Sequence, residues 1–133
     1  MVTPVHSPCI LIVEDEPALG RLLIRALEWD GYGVVWVNGE AGLRAAKIWG
    51  KSYDLVITNS HGTNSHGPLG VSGPDLLGLI GECFPGIPVL HLDDLCQSHG
   101  QRPSGPTLFK PFRLDTLSEA VRELLSGQAR APG

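Results

Sequence analysis

A chain of 133 residues with 42% apolar content can bury one good core and has no room for a second domain. Its formal charge of -4 and pI near 5.6 give no electrostatic footprint for nucleic acid or an anionic membrane, which argues against direct DNA binding. The longest apolar runs are strand-sized rather than the roughly 20 residues of a membrane span, and residues 1–8 lack a basic or apolar leader, so a soluble, cytoplasmic protein is expected. Three cysteines, Cys9, Cys83 and Cys96, show no CxxC spacing and are odd in number, which argues for idle thiols rather than a disulfide framework.

Elements alternate in the βα manner expected of a parallel sheet covered on both faces. Cys9–Val13 is a continuous apolar run, as a strand buried on both faces should be. Pro17 opens a helix at its first position, with acids at 14 to 16 near the helix's positive end. Leu19, Leu22, Leu23, Ala26 and Leu27 recur there at helical spacing, and Gly31 and Gly33 end it. Residues 34–37 form strand 2, Asn38 and Gly39 a turn, and 40–49 a helix turning Leu43, Ala46 and Trp49 inward. Strand 3 covers 55–58 and points at Asn59.

Residues 59–74 are rich in Gly, Ser, Asn and Pro with almost no apolar content, so they read as a surface loop. Most βα connections run roughly 2 to 6 residues, which makes this one long. Ser72 or Gly73 then caps a helix with Pro74 in its first turn, running to about Cys83. Residues 88–92 form strand 4. Residues 93–106 carry Gly100, Pro103, Gly105 and Pro106, so the fourth helix should be short or absent. Strand 5 covers 107–109, and Leu114, Leu117, Ala120, Val121, Leu124 and Leu125 line the inner face of a final helix. The domain should span 9–126, with flexible tails at 1–8 and 127–133.

This order fits a flavodoxin-like doubly wound α/β sheet of five parallel strands, order 2-1-3-4-5, with its ligand crevice at the carboxyl ends of strands 1 and 3. Glu14, Asp15, Asn59, His61, Asp93 and Lys110 would gather there. Three segments carry a more specific likeness. The run from Ile10 through Glu14, Asp15, Glu16 and Pro17, the strand ending at Asn59, and the run Leu108, Phe109, Lys110, Pro111, Phe112 together resemble the receiver domain of two-component response regulators.

That resemblance implies Mg²⁺ held by Asp15 directly, by Glu14 through a water, and by the main-chain carbonyl at His61. It implies a phosphoacceptor aspartate at the position of Asn59, and a phosphate-binding lysine, Lys110, before a cis proline. It also places Asp93 where a switch Thr or Ser stands and Thr107 where a switch aromatic stands. An amide is a poor nucleophile and cannot form the acyl phosphate that a carboxylate forms. Loss of its charge weakens the metal site too, since a unit-charge pair at about 4 Å is worth on the order of 4 kcal/mol at an effective dielectric near 20. No cofactor is required on this reading, and Mg²⁺ binding, if retained, is weak.

Simpler roles compete at several positions. Glu14 and Asp15 could cap the following helix, and Asp93 could cap a stunted fourth helix. A sharper reading pairs Asp93 with Lys110 in place of a phosphoryl contact. His61, His66, His91 and His99 with Cys83 and Cys96 lack the repeated ligand spacing of a structural zinc site. Trp29, Trp36 and Trp49 read as core packing.

The leading expectation is a phosphorylation-independent, non-enzymatic receiver-like module acting through protein–protein contacts with a signalling protein or output domain. One alternative is a phosphorylatable receiver using another acid such as Asp93 with Mg²⁺. The other is a flavodoxin-like small-molecule binder, which the acids after strand 1 disfavour because they repel a flavin phosphate. In the family the face formed by the fourth helix, fifth strand and last helix carries the signal. A degraded fourth helix weakens the case for homodimerisation there. The loop 60–72 is expected to cover the pocket or touch a partner.

Overall fold

A computed structural model describes residues 7–59, 73–94 and 106–129 of the chain. The elements run β1 (Cys9–Val13), α1 (Pro17–Trp29), β2 (Gly33–Val37), α2 (Gly39–Ile48), β3 (Leu55–Asn59), α3 (Gly73–Cys83), β4 (Val89–Asp94), β5 (Thr107–Lys110) and α4 (Leu114–Ala129). All strand pairs are parallel, and the order is β2-β1-β3-β4-β5. This is the expected flavodoxin-like sheet. The residues in question for the loop at 60–72 and for the fourth helix, 95–105, lie outside the described residues.

Strand alternation divides the core in two. Ile10, Ile12, Leu55, Ile57, Leu90 and Leu92 face α1 and α4, where Leu23, Leu27, Leu117 and Val121 meet them. Leu11, Val13, Val37 and Val56 face α2 and α3, where Leu43, Ala46 and Ile80 close the second layer. Successive strand residues point to opposite faces, so a strand covered on both sides must be apolar throughout. Here β1 and β3 are.

Helix α1 begins with Pro17 at its first position, and its C-cap Asp30 returns its N–H to the last carbonyls. Gly31, at φ 97°, then takes the left-handed conformation that turns the chain into β2. Ser118 of α4 donates to the Asp30 carboxylate at 2.6 Å and ties the ends of the two helices together. Among the described residues no helix is long and apolar enough to cross a membrane.

Several inward placements are corrected. Trp29 is 90% exposed and Trp49 55% exposed, so of the three tryptophans only Trp36 packs against the core. Trp29 stands two residues beyond buried Leu27, a rotation of about 200° that carries it to the outer face. Trp49 is the C-cap of α2, after Ile48, which is itself exposed; the helix end overhangs the sheet. Leu22 and Leu114 are also exposed and line an open groove between α1 and α4 with Trp29. At the C-terminus, α4 continues to Ala129, past the expected end at 126, because a single glycine at 127 costs a helix only about 1 kcal/mol.

These exposures separate two substitutions. Ile57→Ala removes a fully buried side chain from the central strand and should cost about 2 to 5 kcal/mol in urea unfolding. Trp29→Ser, despite the larger volume change, should stay within about 0.5 kcal/mol of the parent.

Candidate functional site

All five strands end at the same edge of the sheet, and the turn after β1 stands at its centre. Glu14 donates its N–H to the Val37 carbonyl at 3.1 Å, which extends the β1–β2 ladder by one rung. Its own carbonyl accepts the indole N–H of Trp36 at 2.8 Å. Its carboxylate folds back, and Oε2 accepts the backbone N–H of Glu16 at 3.0 Å. Glu16 is the N-cap of α1 and makes no side-chain capping bond of its own. Glu14 thus satisfies an amide that the helix start would otherwise leave open. The capping role and the site role fall on different oxygens: Oε1 is buried and finds no hydrogen-bond partner among the described residues.

Only 2% of Glu14 is exposed. Burial pushes its carboxyl up from the usual 4.5 to about 7, a hydrogen bond shared with the Asp15 carboxyl pushes the same way, and the Glu16 amide and the Lys110 charge oppose it. Near neutrality Glu14 is therefore partly protonated. Lys110 is close enough for its charge to act on Glu14, and it precedes Pro111 across a cis peptide bond.

Asn59 closes β3 and is 7% exposed. Val13 pairs with Thr58, so Glu14 and Asn59 are the next residues out on adjacent strands. On the other side Asn59 pairs with Leu92, and Asp93 follows, fully buried. Asp93 sits beside Phe109 and Asp94 beside Lys110, so Asp93 and Lys110 leave the sheet from opposite faces. By the same register Lys110 leaves the sheet on the side of Glu14.

On the face of Asp93, Thr58, His91 and Thr107 form one row across β3, β4 and β5. Thr58 and His91 are 1% and 4% exposed. His91 thus belongs to the sheet interior beside the expected switch position Thr107, a placement that only the strand register reveals. His61 lies outside the described residues. Among those described, no group of three His, Cys, Asp or Glu side chains could hold a metal ion.

No family model matches the sequence. The chain is similar to the transcriptional regulatory protein GlrR of Escherichia coli (strain K12), at 31% identity over 137 aligned positions, covering 95% of this chain and 28% of that protein. The chain thus spans little more than a quarter of the length of that curated relative. Its fold matches the receiver domain of the hybrid histidine kinase CckA, with a TM-score of 0.68, 29% identity, and coverage of 88% of this chain and 98% of that one. A response regulator receiver domain from Clostridium thermocellum superimposes with a TM-score of 0.73 at 24% identity, covering 94% and 99%. In fold and in sequence the chain is thus similar to the receiver domains of response regulators.

The buried acid makes stability depend on pH. Unfolded Glu14 ionises near the usual 4.5 and folded Glu14 near 7, so between those values the folded state keeps a proton that the unfolded state has lost. Stability should fall as pH rises through this window and level off above it, with a total change on the order of 3 kcal/mol from this residue. Glu14→Gln should remove most of that slope and leave the variant more stable than the parent at about pH 8, read from urea unfolding at several pH values.

Proposed function

We propose that this receiver domain signals through protein–protein contacts without being phosphorylated. The observation that carries the reading is Asn59, an amide at the carboxyl end of central strand β3, beside the acid turn and buried at 7% exposure. Acyl phosphate formation needs a carboxylate oxygen that attacks phosphorus in line, and an amide at that point does not supply it. Asp93 is a poor substitute. It is fully buried, which keeps it from an incoming phosphoryl donor.

The rest of the pocket is read as a remnant adapted to hold one state. Mg²⁺ takes one or two carboxylates with waters completing its shell. The adjacent acids Glu14 and Asp15, with the orphaned Glu14 Oε1, fit a weakly held divalent cation. Such an ion would neutralise the acid pair and displace the proton that burial leaves on Glu14. Lys110 already faces the negative charge of this turn, so an anion is present for it without phosphate. The partner is a signalling protein or an output domain, in keeping with likeness to one part of a longer transcriptional regulatory protein.

Incubation with Mg²⁺ and a small acyl phosphate donor tests this by intact mass. The native chain should gain no phosphoryl group, and Asn59→Asp should gain one that is lost on alkaline treatment. A phosphorylated native chain would overturn the proposal, and mapping the modified residue would show whether Asp93 or another acid serves.

A further inference from the structure

The β1–α1 turn is gripped from the neighbouring strand by a residue that no site motif contains. Trp36 lies in β2, opposite Ile12 of β1, and points to the face covered by α1. Its indole N–H reaches the carbonyl of Glu14 at 2.8 Å, while the amide of the same residue is held by the Val37 carbonyl at 3.1 Å. The peptide groups on both sides of Glu14 are therefore fixed from β2. Fixing them sets the direction in which the Glu14 and Asp15 side chains leave the turn.

The reach of the indole depends on a notch in α1. A Cβ built on Gly20 would lie 2.5 Å from Cε2 and from Cζ2 of Trp36, closer than any real carbon contact, so only glycine admits the ring here. Glycine in a helix interior is worse than alanine by about 1 kcal/mol. Its presence at position 20, fully enclosed in α1, is explained by the ring that fills the space. A phenylalanine at 36 would occupy the same notch and donate nothing. The useful part of the tryptophan is its N–H.

We infer that Trp36 is a positioning residue for the acid turn, with Gly20 as the notch that admits it, and that together they hold Glu14 and Asp15 in the orientation the site requires. The inference rests on the reading of that turn as the functional site of this domain. It concerns how the turn is held, and it stands apart from whether Asn59 accepts phosphate.

Amide exchange on the isotopically labelled chain, followed by NMR, tests it. The Glu14 carbonyl and the Asp15 amide belong to one peptide group, so the Asp15 N–H reports the grip directly. In Trp36→Phe, exchange at Asp15 and Glu16 should speed up by about fivefold, the scale of one lost hydrogen bond, while Ile57 and Leu55 keep their rates. Gly20→Ala, which retains the tryptophan but fills the notch, should produce the same local change and move the indole N–H resonance. The double variant should be no worse than either single one, because both remove the same bond.

A Mg²⁺ titration of the same samples supplies the second readout, with a severalfold weaker midpoint expected in either variant. Unchanged exchange at Asp15 in both variants would overturn the role of Trp36. If the native chain shows no response to Mg²⁺, the cation-binding part of the proposed function fails while the exchange data still decide the role of Trp36. Should Trp36→Phe lose its folded spectrum, the Gly20→Ala sample alone carries the decision.

Discussion

Strand β1 pairs with β2 along one edge and β3 along the other, and its residues from Ile10 to Val13 are at most 2% exposed. A strand in that position has no free backbone edge and no solvent face. Every residue it contributes to the interior must therefore be apolar, and the first polar residue can appear only where the strand ends. That residue is Glu14. Parallel pairing then brings the ends of β3, β4 and β5 to the same edge, so the placement of Asn59, Asp93 and Lys110 follows from how β1 is enclosed.

Ending a doubly buried strand on a carboxylate has an electrostatic consequence. Glu14 emerges from the sheet without reaching water, and the domain meets this by protonation, by the hydrogen bond to Asp15 and by the charge of Lys110. One oxygen is also committed to the amide that opens α1. A group held in this manner is poised between binding a proton and binding a cation, since either relieves the same burial. The lateral row of Thr58, His91 and Thr107 is a second departure from an apolar interior. It lies on the other face of the sheet and remains separate from the acid turn.

Periodicity located the nine elements of the described residues, most of them within a residue or two, because doubly buried strands and amphipathic helices leave a pattern that needs no knowledge of neighbours. Side-chain placement was less legible. Trp29, Leu22 and Leu114 fit an apolar reading by type, yet they are exposed, since the width of a helix's buried stripe depends on what packs against it. The acid turn, the amide at position 59 and the lysine before proline could be read as one constellation. The strand register could not. That Lys110 leaves the sheet on the side of Glu14 depends on pairing between strands far apart in the chain.

The order of elements and the parallel sheet were determined by the sequence alone, because each rests on local pattern and on the handedness of chain connections. Tertiary structure alone decided that Glu14 is buried with its carboxyl pushed up to about 7, that His91 lies between two threonines, and that Trp36 seats in Gly20 to hold the Glu14 carbonyl. A carboxyl's ionisation is set by its distance from water and from other charges. An indole's partner is set by the helix crossing above its strand. Both are distances between residues that the linear order keeps apart.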